Sequence, residues 1–207
     1  MRDKKQKSRQ TFNRQAATYD QDVSGRHARS LYPVLLKKLS QIPYRSALDL
    51  GCGTGEMLRL LSERDRGATL SGIDLSEKML EIADAKLQGR ARLVLGDSEH
   101  LPFPDGSFDV VYCNDSFHHY PAPEVVLAEV RRVLTETGTF VMCDSWHSGI
   151  GRVFMNIYFQ FSRQGDVKIY SEREITALFS KYFQNVHWEK IDEHSCMAWG
   201  EKNLSHE

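Results

Sequence analysis

The chain has no uninterrupted apolar run long enough to cross a bilayer as a helix. Its basic N-terminus is not followed by an apolar stretch, so no secretory leader and no membrane insertion are expected, and a cytoplasmic location is. It also lacks a charge excess: 27 Lys and Arg stand against 28 Asp and Glu. A protein that wraps a long stretch of nucleic acid usually carries a large basic surplus, so nucleic acid is not the expected partner. Cysteine is scarce. Cys52, Cys113, Cys143 and Cys196 are the only four, no two form a Cys-x-x-Cys pair, and three sit in or beside expected buried strands. They read as reduced thiols of a cytosolic protein. No internal repeat is present. What remains is 207 residues, 41% hydrophobic and 27% charged, which fits one globular domain with a sizeable core.

The informative stretch is Ala-Leu-Asp-Leu-Gly-Cys-Gly-Thr-Gly, residues 47–55. Ala47 to Leu50 suit a short strand buried on both faces. Gly51, Gly53 and Gly55 follow at alternate positions, and then a helix with Met57, Leu58, Leu60 and Leu61 as its apolar members. Glycine admits backbone angles closed to other residues and lets a ligand approach the main chain. Free N–H groups at the helix start point into the same space. Asp74 ends the next apolar run and Asp97 the one after it. In an open parallel sheet the ligand crevice lies beyond the carboxyl ends of the strands, so Asp49, Asp74 and Asp97 should surround one cleft.

Strands are expected at 69–74, 91–96, 108–113 and 139–144, with helices at 76–87 (Ser76 as N-cap) and 123–134 between them. Such alternation argues for a parallel sheet covered on both faces. Residues 1–13 are polar and read as a solvated tail. Leu31, Val34, Leu35 and Leu39 share a helical face, with Pro33 near that helix's start, and this segment is placed to fold over the cleft. The stretch 145–170 interrupts the alternation with Trp146, His147, Phe154, Tyr158, Phe159 and Phe161. It suits either a substrate pocket or ordinary aromatic packing. Ser171 to Glu174 form a capping box, and strands near 185–191 and 195–201 suggest a hairpin. The expected organisation is a single domain over 1–207: N-terminal tail and helical lid (1–42), cofactor-binding core (43–144), pocket insertion (145–170), C-terminal helix and hairpin (171–207).

Leu-Asp-Leu-Gly-Cys-Gly-Thr-Gly, Gly-Ile-Asp-Leu-Ser, Gly-Asp-Ser-Glu-His-Leu-Pro-Phe and Phe-Asp-Val-Val-Tyr-Cys-Asn together resemble the class I S-adenosylmethionine-dependent methyltransferases. The closest resemblance is to the small-molecule branch that includes ubiquinone/menaquinone-type enzymes, and Ala16 to Asp20 is also similar to that branch. The resemblance implies an α/β, three-layer Rossmann-like fold: a seven-stranded, mostly parallel sheet with an antiparallel C-terminal hairpin strand. It implies S-adenosyl-L-methionine as cofactor, a small-molecule acceptor, and a monomer or homodimer. It assigns Gly51, Cys52, Gly53 and Gly55 to the methionine end and Asp49 to the loop or the amino group. Asp74 is assigned to the ribose hydroxyls, and Gly96, Asp97 and Ser98 to the adenine. Leu75 and Met79 would flank the nucleoside, and Asn114 and Tyr19 would lie near the methionine end.

A nicotinamide dinucleotide is the competing ligand. It wants Gly-x-Gly-x-x-Gly, and here Glu56 stands where a pyrophosphate would sit. Candidate bases are His118 and His119, then Asp115 and His147. His118, His119 and His147 show no established ligand spacing, so no metal is expected. No Asn-Pro-Pro-aromatic run and no Pro-Cys pair occurs, which disfavours amino-directed and pyrimidine-directed methylation of macromolecules. An RNA or protein methyltransferase using the basic tail, or a non-catalytic cofactor-binding regulator, remain the alternatives.

Overall fold

The computed structural model describes residues 2–162 and 164–202. One seven-stranded sheet runs through it in the order β3-β2-β1-β4-β5-β7-β6. The strands are β1 (Ser46–Leu50), β2 (Thr69–Asp74), β3 (Arg92–Leu95), β4 (Phe108–Asn114), β5 (Leu134–Ser145), β6 (Gln184–Lys190) and β7 (Ser195–Glu201). β1 to β5 pair in parallel, and β7 lies antiparallel between β5 and β6. The expected mostly parallel sheet with an antiparallel hairpin strand is the one observed.

Alternate residues of the central strands feed two separate cores, as the two-residue period of a strand requires. Leu48, Val111, Phe140 and Met142 pack with α5 (Pro123–Val133) and α7 (Glu172–Phe179). Ala47, Val110, Tyr112 and Val141 pack with α2 (Arg26–Leu39), α3 (Glu56–Arg64) and α4 (Glu77–Leu87). Ser76 caps α4 by accepting from the Met79 N–H at 3.1 Å, and Ser171 and Glu174 close the expected capping box on α7. All four cysteines are buried, free thiols. Among the described residues no helix is long and apolar enough to cross a membrane.

Three expectations need correction. The polar N-terminal stretch is a helix, α1 (Arg2–Gln15), rather than a solvated tail. Polar bonds to distant segments hold it: Lys4 Nζ donates to the carbonyls of Phe159 and Asp166 at 2.6 and 2.7 Å, and Arg9 forks onto Glu77 at 2.8 and 2.9 Å. Helical periodicity of apolar residues, the usual sequence signal, is not what fixes it. Pro33 lies inside α2 instead of near its start, because the helix begins at Arg26. β5 begins at Leu134, five residues before the expected strand. The stretch 145–170 contains α6 (Gly149–Phe161), whose Ile150, Val153, Phe154, Ile157, Tyr158 and Phe161 are exposed while Phe159 is buried. Residues 203–207 of the expected C-terminal unit lie outside the described residues.

Candidate active site

β1 ends in the glycine turn, and a cleft opens beyond it. Gly51 has φ +80°, and a Cβ there would sit 2.6 Å from the Ser116 hydroxyl, so only glycine fits. A Cβ on Gly53 would meet nothing within 4 Å, which leaves open space directly over its main chain. Asp49, Gly51, Cys52, Gly53, Asp74, Leu75, Met79, Asp97, Ser98, Asn114 and Tyr19 all line the cleft, as do Asp115 and His119. Two expected members do not. A Cβ on Gly55 would strike Ala83, and one on Gly96 would strike Ile73. At both, the missing side chain leaves room for packing, of α3 against α4 and of the end of β3 against β2.

Asp74 is held by two main-chain donors: Gly53 N–H to Oδ2 and Ser76 N–H to Oδ1, both at 2.8 Å. Burial raises its pKa despite those donors. Burial also pushes the Asp49 carboxyl up to about 8, and the Asp74 carboxylate adds to the rise. A cation brought beside Asp49 would favour its ionised form. Asn114 Nδ2 donates to the Ala28 carbonyl at 3.2 Å, while Asn114 Oδ1 and Glu99 Oε1 are buried with no partner. Unpaired buried acceptors in a cleft wall are places for a ligand's donors.

α1 roofs this cleft with Lys5, Ser8, Arg9 and Phe12. Lys5 Nζ pairs with Asp97 at 2.5 Å and Glu99 at 2.6 Å. Asp20, in the turn between α1 and α2, ties the N-terminal segment to the glycine loop. It accepts from the Thr54 hydroxyl at 2.6 Å and pairs with Lys86 at 2.7 Å. Lys86 also reaches Glu56 at 3.0 Å, and Arg59 pairs with Glu56 at 2.7 Å. The charge of Glu56 at the helix start is therefore answered within the fold. The roles of Lys5, Asp20 and Lys86 were not legible beforehand, since each partner is remote in sequence.

A second cavity lies alongside, sharing Phe12, Tyr19, Asp115 and His119 with the cleft and adding His118, Gln164 and Asp166. A chain of imidazoles and carboxylates forms part of its wall and continues behind it. His27 Nδ1 meets Asp115 Oδ1 at 2.7 Å and its Nε2 meets the Ser195 hydroxyl at 3.1 Å. His118 Nδ1 meets Asp144 Oδ1 at 2.6 Å. Burial alone would lower the His118 pKa, but Asp144, Asp115 and Asp166 outweigh it and raise it to about 9. His119 moves the other way, pushed down by burial and by His118. Asp115 takes φ +55°, a conformation that non-glycine residues adopt mainly where the surroundings impose it. His147 stands apart, 3.4 Å from His194. The aromatic residues of 145–170 line neither cavity. That stretch contributes Gln164 and Asp166 instead.

The fold has counterparts among known proteins. Residues 48–142 match the family model for a methyltransferase domain. Demethylmenaquinone methyltransferases of Thermotoga maritima and Lactobacillus johnsonii are 34% and 37% identical to this chain over 110 and 108 residues. Those matches cover 53% and 49% of this chain, and 48% and 44% of the relatives. The chain thus spans about half the length of the curated relatives it matches. Phosphoethanolamine N-methyltransferase 2 of Haemonchus contortus, solved with S-adenosyl-L-methionine, superposes with a TM-score of 0.73 at 16% identity, over 84% of this chain and 53% of that one. The YcgJ protein of Bacillus subtilis gives 0.73 at 19% identity, over 86% of this chain and all of the other. A strand order of 3-2-1-4-5-7-6, a glycine rim with its acids, and these matches agree that residues 48–142 are similar to the methyltransferase domain of class I S-adenosylmethionine-dependent methyltransferases.

Proposed function

We propose that the chain transfers a methyl group from S-adenosyl-L-methionine to a small organic acceptor seated in the second cavity. The carrying observation is that the glycine-rimmed cleft and this cavity share a wall, made of Phe12, Tyr19, Asp115 and His119. The cleft suits the cofactor. Asp74 would hold the ribose hydroxyls, Asp97 and Ser98 the adenine, and Asp49, with its raised pKa, the amino group. The open main chain at Gly53 and the unpaired Asn114 oxygen leave room and polar contacts for the methionine end. When bound, that cofactor supplies an electrophilic methyl group. The chain's own task is to hold the acceptor in line, an orientation effect of roughly 7–11 kcal/mol in favourable cases. Asp115, His118 and His119, which line the second cavity, are groups able to manage an acceptor's proton.

The acceptor class draws support from the relatives, which include demethylmenaquinone, sterol and rifamycin methyltransferases by name. Four basic residues of α1 are paired within the chain: Lys4 on carbonyls, Lys5 on Asp97 and Glu99, and, at the surface, Lys7 on Asp3 and Arg9 on Glu77. That leaves little of the basic segment for RNA.

The test is binding of the cofactor to wild type and to Asp74→Ala, followed by transfer of a labelled methyl group into a metabolite extract. The expected outcome is at least a hundredfold weaker binding by the folded variant, with label in a small molecule. Equal binding by the variant would overturn the site. Label in RNA or protein would overturn the acceptor class, and binding without transfer would leave a regulator.

A further inference from the structure

His118, His119 and Asp166 present ligand atoms that all lie within 4.8 Å of one another. His118 Nε2 is 3.8 Å from Asp166 Oδ1, and His119 Nδ1 is 3.6 Å from the same oxygen. Both separations are too long for hydrogen bonds. They are close to the spacing of neighbouring ligands in a tetrahedral zinc site, where bonds of ~2.0–2.2 Å put ligand atoms roughly 3.3–3.6 Å apart. His119 Nδ1 is buried and has no hydrogen-bond partner, although an unpaired buried imidazole nitrogen is costly.

The surroundings are those of a metal site as well. His118 gives its other nitrogen, Nδ1, to Asp144 at 2.6 Å, the carboxylate–histidine arrangement that orients metal-bound imidazoles. The remaining Asp166 oxygen accepts from the Ser162 hydroxyl at 2.7 Å, which points Oδ1 at the two rings. Phe12 stands edge-on to His119 and Phe159 stacks on His118, while the two imidazoles lie 4.1 Å apart, centre to centre. Asp115, Asp144 and Asp166 bring three carboxylates to three imidazoles, an electrostatic setting that favours a bound cation. The segment that carries Asp166 is fastened to the histidine pair by Val167 N–H donating to the His118 carbonyl at 2.8 Å.

We infer that His118 Nε2, His119 Nδ1 and Asp166 Oδ1 form a binding site for a divalent transition-metal ion, zinc being the best fit, with its fourth position open to the second cavity. Two imidazoles and one carboxylate with an open position is the donor set of a catalytic rather than a structural zinc site. An acceptor hydroxyl or thiol placed there would lose its proton to water, its O–H or S–H bond giving way to a metal–oxygen or metal–sulfur bond. The ion would so hold the acceptor as an anion. This use of the ion rests on the methyl-transfer reading, whereas the ion site itself does not.

Tag-free protein freed of metal and titrated with Zn2+ tests the site by calorimetry and by metal content, and Co2+ absorption reads its geometry. One ion per chain is expected, with the visible bands of four- or five-coordinate Co2+. His119→Ala and Asp166→Ala should each weaken binding more than thirtyfold, and Asp144→Asn, which acts through His118, roughly 10–100-fold. Asp74→Ala should keep full metal affinity while losing the cofactor, which separates failure of this site from failure of the methyl-transfer reading. No stoichiometric ion in wild type, or undiminished binding in both His119→Ala and Asp166→Ala, would overturn the inference. So would loss of the ion in His147→Ala, which would move it to the His147–His194 pair. Should a variant not fold, the wild-type Co2+ spectrum and its removal by a chelator still decide.

Discussion

The glycine–aspartate rim and the histidine–aspartate wall touch in one groove, yet the chain builds them differently. The rim comes from three successive strand ends, each one βα unit after the last: Asp49 with the glycines, Asp74, then Asp97. The wall and the groups bonded behind it draw on five scattered pieces: His27 from α2, Asp115 and the two histidines after β4, Asp144 from β5, Asp166 after α6, and Ser195 from β7. A rim of repeated local units can be read along the sequence. A wall assembled by tertiary packing cannot, because neither its members nor their pairings recur at any fixed spacing.

That contrast can be broken or sharpened by experiment. The largest effect is expected at Gly51→Val. The side chain would demand a left-handed backbone and strike Ser116, so a loss of about 2 kcal/mol or more in urea unfolding is expected, with cofactor binding abolished. Retained binding would show that the rim tolerates a side chain and is less local than it looks. Next comes His27→Gln. It removes the imidazole from Asp115 and Ser195, and methyl transfer should fall 10–100-fold while the cofactor dissociation constant changes less than threefold. Equal damage to both would merge the two regions into one unit.

Lys5→Ala should have a smaller effect. An ion pair of this partly exposed kind is worth up to about 1 kcal/mol, so cofactor release in stopped flow should quicken roughly two- to fivefold. The smallest effect serves as a control far from both regions. Burial would raise the Glu174 pKa, but Lys168 and the Ser171 cap outweigh it and hold it to about 2. Its contribution is therefore present above the ordinary glutamate range and lost as pH falls toward about 2. Being 42% exposed, its side chain contributes only a few tenths of a kcal/mol through the ion pair. Ser171→Ala should cost about 1 kcal/mol at pH 6 and less at pH 3, with cofactor affinity unmoved.

The same contrast explains what was legible beforehand. The strand–helix alternation with its parallel pairing, the hairpin, the Ser76 cap and the Ser171–Glu174 box follow from local patterns, and the structure has them. Gly55 and Gly96 sat in the same motifs, but their motif position does not tell packing from ligand approach; only the neighbours Ala83 and Ile73 do. α1 looked like a tail because its restraints are lysine and arginine bonds to residues 68 to 162 positions away. Asp166 and His27 carried no sequence signal, since a lone acid or histidine becomes informative only beside its spatial partners.

The buried thiols have a practical outcome. Cys113 and Cys143 lie in central strands, Cys196 on β7, and Cys52 in the glycine loop itself. An alkylating reagent must wait for each site to open. Cys113 and Cys143 will then report wholesale unfolding, and Cys52 the breathing of one loop. A ligand seated on that loop would slow the modification of Cys52 and leave the other rates alone, so the chain carries its own occupancy gauge.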